Sequence, residues 1–381
     1  MDEGVTRRDF LRATGGIAMF ARMQPRGAAA QRHEIDTLLE PIRRKHDLPA
    51  LAGAVVYEGR TAAVGAVGFR KDGDPTRVTE SDQFHLGSNT KSMTATVAAM
   101  LVEQGKLRWE TTIAQVFPEL KEAMRPEYRA VTLEMLLSHY SGFPNNSAPP
   151  GKTLLDVHRL PGTPREQRRA YVEMYLKEPP EAEPGTKYIY SNAGYAMAGA
   201  MMEKVTDAPW EQLMQRRLFR PLGMTTAGYG AMGTPGKVDQ PWQHRVEGKR
   251  RIPIGPGPLS DNPVAIAPAG LVHCSMGDWA KYITAHVRGE KEGGLVTPET
   301  FRRLHTPPFG GDYALGWLVT ERDWGGGRVL THAGSNTQNF AVVWLAPLRN
   351  FAVLAATNQG GQEAEQACDE VCAALIGQFL R

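Results

Sequence analysis

Ser88 and Lys91 stand three residues apart in Ser88-Asn89-Thr90-Lys91, at the start of a stretch with helical periodicity. On a helix, positions i and i+3 share a face, so the Lys91 amine can reach the Ser88 hydroxyl. A serine hydroxyl is a weak nucleophile until a base takes its proton. Lys91 falls in the first turn of the expected helix, where the positive end of the macrodipole disfavours its charged form. Desolvation in a cleft acts in the same direction and makes a lysine usable as a base near neutral pH. Taken alone, the spacing fits a helix-capping serine and a solvated lysine as well.

Two further segments supply what a serine–lysine pair lacks. Tyr190-Ser191-Asn192 follows Pro184-Gly185 and leads into a helical run. A phenol at Tyr190 can relay a proton to a leaving group, and the Asn192 amide can hold a substrate carbonyl. His332-Ala333-Gly334 closes a strand candidate near the C-terminus. A sheet-edge strand there can pair with an extended acyl substrate, and Gly334 lets the backbone approach closely. Each segment alone also fits a packed tyrosine or a histidine at a strand end.

In this order the three motifs resemble the serine β-lactamase and penicillin-recognising D,D-peptidase superfamily. The match is to its class C β-lactamase and esterase branch, which reads S-x-x-K, Y-x-N and then K-T-G or H-x-G. Leu136-Leu137-Ser138-His139-Tyr140-Ser141-Gly142 is similar to that family's LLSHTSG segment. Phe219-Arg220-Pro221-Leu222-Gly223-Met224, Pro268-Ala269-Gly270 and Tyr313-Ala314-Leu315-Gly316-Trp317 match further recurring phrases in order, from about residue 35 to the C-terminus. The resemblance implies Ser88 as nucleophile, Lys91 and Tyr190 as proton carriers, and Asn192, His332 and Gly334 at the substrate. It also implies an oxyanion hole formed by the backbone N–H groups of Ser88 and Ser335. Where this chain has His332 the family often has lysine; a histidine keeps a donor but is largely neutral at pH 7.

The elements that must position these residues are legible in outline. Segments 51–57 and 61–69 read as strands around Glu58-Gly59, and 315–320, 328–332, 340–345 and 351–357 as four more, with turns at 323–327 and 346–350. The chain from 363 onward looks helical. Strands at both ends imply one antiparallel sheet built from the two termini. Between them Met93, Val97, Met100 and Leu101 recur at helical spacing up to Gly105, and 193–205 and 210–218 read as helices. Segment 227–268 is rich in Gly and Pro and reads as a long loop, the part of the chain expected to shape specificity. The fold class is α+β: a sheet region of about 31–85 plus 265–381, flanked by helices, with a mainly helical insert of about 86–264.

Residues 1–30 read as an export signal. Thr6-Arg7-Arg8-Asp9-Phe10-Leu11 fits the twin-arginine pattern, and a modestly apolar stretch leads to a small-residue cleavage site at Ala28-Ala29-Ala30. The stretch is too short and polar to span a bilayer. A periplasmic or secreted protein starting near Gln31 is the expectation. The 381 residues carry a formal net charge of +3, too small to suggest a nucleic-acid partner. Cys274, Cys368 and Cys372 make an odd count of 3, which excludes a disulfide scaffold and favours buried thiols. No H-E-x-x-H or C-x-x-C occurs, so neither metal nor cofactor is expected.

Two triplets imitate other catalytic motifs. Ser260-Asp261-Asn262 spells the S-D-N of class A β-lactamases but sits in the Gly/Pro-rich segment and reads as a turn. His273-Cys274-Ser275-Met276-Gly277 falls one glycine short of G-x-S-x-G. His85 and His139 read as packing or hydrogen-bonding residues. The expected function is an exported serine hydrolase forming an acyl-enzyme on small esters or D-amino-acid amides and peptides. A class C-like β-lactamase ranks second, and a slow-turnover penicillin-binding sensor third.

Overall fold

The computed structural model describes residues 28–248 and 250–380. Helix α1 (Ala28–Lys45) precedes a hairpin of β1 (Ala50–Tyr57) and β2 (Arg60–Gly68). Strand β3 (Gln83–His85) enters a single 3-10 turn, Gly87–Asn89, that continues as α2 (Thr90–Glu103). Short helices follow, then α3 (Pro164–Leu176) and α4 (Asn192–Thr206). The next stretch holds β4 (Gly228–Tyr229), the hairpin β5 (Gln243–Glu247) and β6 (Arg250–Ile254), and β7 (Val272–Ser275). Helices α5 (Met276–Glu292) and α6 (Pro298–Leu304) lead to β8 (Leu318–Arg322), β9 (Gly327–Ser335), β10 (Phe340–Ala346), β11 (Phe351–Thr357) and the closing helix α7 (Gln362–Phe379).

Six strands form one antiparallel sheet in the order β2-β1-β11-β10-β9-β8. The N-terminal strand β1 pairs with β11 from Leu51 opposite Thr357 to Tyr57 opposite Phe351, so the two chain ends do build one sheet. Both faces are covered. Ala352, Leu354 and Ala356 of β11 pack into the core toward the helical region, while Phe351, Val353 and Ala355 face α1 and α7. A strand buried on two sides reads as an unbroken apolar run, which is why these segments stood out. Helix α7 supplies Ala364, Ala367, Cys368, Val371, Cys372 and Leu375 to the outer core, an apolar stripe at helical spacing. All three cysteines are free and buried.

The differences from expectation are local. Segment 227–268 is not one long loop: it contains β4, the β5–β6 hairpin and a 3-10 turn at Val264–Ile266. The hairpin's outward residues are Arg245, Val246 and Glu247, so it lacks the apolar alternation that announces a strand. The helix expected at 210–218 is Trp210–Met214 followed by a π-turn over Gln215–Phe219. Strand β8 begins at Leu318 because Gly316, at φ +84°, turns the chain just before it. Strand β3 belongs to a separate three-stranded sheet with β7 and β4. The twin-arginine segment lies outside the described residues. No helix among the described residues is long and apolar enough to cross a membrane.

Candidate active site

Ser88 lies in the 3-10 turn between β3 and α2, so its backbone N–H is at the mouth of a helix N-terminus. Two glycines let strand β9 press against this turn. Gly87 has φ +51°, and a Cβ there would lie 2.4 Å from Ser335 N. A Cβ on Gly334 would lie 2.1 Å from Leu86 O and 2.5 Å from Ser88 N. No side chain fits either place. The close approach sets the Ser335 amide against the turn that carries Ser88.

Strand β9 is interior where it pairs with β8, from Arg322 opposite Gly327 to Leu318 opposite Thr331. Its last four residues, His332 to Ser335, run past the start of β8 and keep only β10 as a ladder partner. Ala333 and Ser335 are exposed there. The open edge anticipated at this motif is therefore a short protruding end of an otherwise internal strand, long enough for one extended residue of a ligand.

Lys91 is completely buried, in the first turn of α2. Its Nζ lies 3.1 Å from Ser88 Oγ, 2.7 Å from Asn192 Oδ1 and 2.8 Å from the Ala269 carbonyl oxygen. Burial pushes its pKa well below the usual 10.5. The rings of Tyr190 and Tyr195, 4.6 and 5.5 Å from Nζ, favour the ammonium, but desolvation dominates. In the neutral amine the two N–H bonds go to Asn192 Oδ1 and Ala269 O, which can only accept. The lone pair is left for the Ser88 hydroxyl proton.

Tyr190 comes from the segment before α4, which starts with a cap: Ser191 Oγ accepts from Gly194 N at 3.2 Å. Its hydroxyl donates to Ser88 Oγ at 2.7 Å. His139 seats this segment. Its Nδ1 accepts from Ser191 N at 3.0 Å, and its ring lies 4.4 Å, centroid to centroid, from that of Tyr190. Ser88 Oγ thus lies within direct hydrogen-bond distance of both Lys91 Nζ and the Tyr190 hydroxyl.

Two expected substrate contacts face elsewhere. Asn192 Oδ1 holds Lys91, and its Nδ2 donates to Ser147 Oγ at 2.9 Å, so the amide orients the base first. One Nδ2 hydrogen is left over for a ligand. His332 is buried, its Nδ1 donating to the Ala333 carbonyl at 2.7 Å and its Nε2 3.0 Å from the Tyr313 hydroxyl. In the neutral ring that Nε2 accepts from Tyr313. The imidazole props the strand end; it does not present a free donor to the cleft.

The family model described as Beta-lactamase matches residues 35–375. The chain belongs to the β-lactamase family. The penicillin-binding protein 4 of Amycolatopsis lactamdurans is 27% identical to this family member over 357 residues, 89% of this chain and 88% of that one. An unguisins hydrolase of Aspergillus violaceofuscus is 26% identical over 356 residues, 82% of this chain and 58% of its own length. The protein flp of Staphylococcus aureus strain COL is 20% identical, and the match covers 85% of this chain and 62% of that one. This chain therefore spans less than two thirds of the latter two relatives. Among solved structures, the octameric penicillin-binding protein homologue from Pyrococcus abyssi superposes with a TM-score of 0.73 at 22% identity, covering 91% of this chain and 78% of that one. A penicillin binding protein from Bacillus halodurans gives 0.69 at 20% identity, covering 90% and 99%. These two likenesses concern the fold alone. Family membership makes the chain a serine hydrolase of the acyl-enzyme type.

In this β-lactamase-family protein several site residues carried no signal of their own. Ala269 contributes a backbone carbonyl, which any residue has; its only flag was the Pro268-Ala269-Gly270 phrase. Ser147 and Tyr195 lie in no quoted motif. Asp261, read as part of a turn, has a side chain directed inward onto His85 and Asn336. Among the described residues no group of His, Cys, Asp and Glu side chains could hold a metal ion.

Proposed function

We propose that this protein hydrolyses small esters or amides that lack a carboxylate, D-amino-acid amides among them, through an acyl-enzyme on Ser88. The Ser88 oxygen bonds to the carbonyl carbon as its proton passes to Lys91 Nζ. The resulting oxyanion is held by the Ser88 and Ser335 N–H groups, which act where charge develops. Collapse breaks the bond to the alkoxide or amine, and that leaving group takes a proton through Tyr190. Water then attacks the acyl ester along the reverse path, and Ser88 leaves with its proton restored.

The observation that favours substrates without a carboxylate is the engagement of the His332 ring. Class C β-lactamases of this branch carry a lysine at that place, whose charge attracts a carboxylate. Here the imidazole is engaged by Tyr313 and the Ala333 carbonyl. The test is a panel of p-nitrophenyl esters, D-amino-acid amides and a chromogenic cephalosporin. The ester or the amide is expected to turn over with the highest kcat/KM. His332→Lys is then expected to raise the cephalosporin-to-ester ratio by about 10-fold or more, the value of one charged hydrogen bond. An unchanged ratio in a folded variant would confine His332 to supporting the strand. A stoichiometric burst without turnover on every substrate would replace hydrolysis with ligand sensing.

The same proposal includes export. Arg7 and Arg8 followed by Phe10 and Leu11 support a twin-arginine route to the periplasm or medium. Replacing both arginines with lysine should leave unprocessed precursor in the cytoplasm, read by immunoblot of cell fractions. Normal processing would point to another route or to none.

A further inference from the structure

Asp261 takes no part in the steps above, yet its side chain is only 7% exposed and spans two parts of the site. Carboxylate Oδ2 accepts from His85 Nε2 at 2.8 Å. The His85 ring is fully buried, and its Nδ1 accepts the backbone N–H of Gly87 at 3.1 Å. That pair of bonds sets the tautomer: the proton sits on Nε2, facing the carboxylate. Carboxylate Oδ1 accepts from Asn336 Nδ2 at 2.8 Å. Gly87 is the residue before Ser88, and Asn336 is the residue after Ser335. One carboxylate is thus joined by short hydrogen-bond paths to the two turns that supply the oxyanion amides.

The surroundings make this a fixed frame. Gln243 of β5 donates through Nε2 to the Ser260 carbonyl at 2.6 Å and accepts through Oε1 from Asn336 and Asn339. Ser335 Oγ donates to the Asn339 carbonyl at 2.7 Å, which closes the turn after the oxyanion residue. Burial alone would raise the Asp261 pKa, but the His85 ring and the Asn336 amide outweigh it and hold the carboxyl below its usual range. An ionised carboxylate with acceptors to spare is the group that can hold two donors at once.

We propose that Asp261 is a positioning residue: through His85 and Asn336 it fixes the Ser88 and Ser335 N–H groups relative to one another and so sets the oxyanion hole. The inference rests on the reading of Ser88 as nucleophile. Oxyanion stabilisation depends on donors already aimed at the transition-state oxygen, so a small splay of the two turns weakens the transition state more than the bound substrate.

Asp261→Asn tests it. The amide offers one acceptor and one donor where both neighbours donate, so one arm of the bridge must fail. An alkylboronic acid, which adds to the serine as a tetrahedral anion, is the probe of the hole. For a p-nitrophenyl ester, kcat/KM is expected to fall by about 10- to 100-fold, mostly in kcat, and the boronate Ki to rise by a similar factor. His85→Asn keeps an acceptor near Gly87 but loses the carboxylate; it is expected to move both quantities in the same direction, and it carries the test if Asp261→Asn fails to fold. A folded variant whose kcat/KM and boronate Ki both stay within about twofold of wild type would overturn the proposal. So would a fall in kcat/KM with unchanged boronate affinity, because the oxyanion hole would then be intact. Wild-type enzyme that the boronate does not inhibit would instead count against Ser88 as nucleophile.

Discussion

Ser88→Ala is expected to abolish covalent labelling by a fluorophosphonate or penicillin probe and to lower ester hydrolysis by about 10⁴-fold or more. The Ser88 oxygen is the one atom that both the Lys91 amine and the Tyr190 hydroxyl address, at 3.1 and 2.7 Å. Without it the base has no proton to take and no acyl group can be carried. The fold should survive: Ser88 is half-buried, and the turn is held by groups other than its hydroxyl, including Thr90 Oγ1 on the Gly87 carbonyl at 2.7 Å. The cost is the lost acceptor of the Tyr190 hydroxyl and the lost donor to the Lys91 amine, about 1–3 kcal/mol in a partly wet cleft. Intact-mass spectrometry of probe-treated wild type and variant reads the outcome. A probe adduct persisting in Ser88→Ala would mean that the nucleophile is another residue and that the Ser-x-x-Lys spacing is coincidental.

The contrast between what the sequence revealed and what it concealed follows from the range of the interactions. Ser88 and Lys91 are neighbours on one helical turn, so their pairing is written in local spacing. Tyr190 and Asn192 flank a cap, Ser191, which is also a local signal. The strands β1, β10 and β11 are buried on both faces, and unbroken apolar runs mark them. The bridge at Asp261 is different. His85 and Asp261 are 176 positions apart, and Asn336 lies 75 beyond Asp261, so no window of sequence holds two of the three. A carboxylate in a Gly/Pro-rich segment looks solvated until the fold closes over it. His332 misled in the opposite way. Its motif position suggested a donor aimed at substrate, but Tyr313, 19 residues earlier, engages the ring. The β5–β6 hairpin has no apolar alternation to mark it, since Arg245, Val246 and Glu247 are all exposed, and it places Gln243 on Asn336 and Asn339 of the turn beneath.

Lys91→Met is expected to lower kcat/KM by about 10²–10⁴-fold while leaving the protein folded. Methionine is unbranched, close to lysine in length and suited to a buried site, so it fills the space without a proton acceptor. The loss should fall on acylation, seen as slower probe labelling in single-turnover experiments. The pH dependence carries the sign. Burial lowers the Lys91 pKa, so wild-type kcat/KM should rise with pH as the amine loses its proton, with a midpoint well below 10.5. In Lys91→Met that rising limb should disappear. Lys91→Arg separates a base from a mere donor. A guanidinium can still donate to Asn192 Oδ1 and the Ala269 carbonyl, but it keeps its proton at every accessible pH. If Lys91 acts as the base, the arginine variant should be no more active than the methionine variant. Activity near wild type in Lys91→Arg would assign Lys91 the role of a fixed cation holding Asn192 in place, and Tyr190 would then have to take the Ser88 proton.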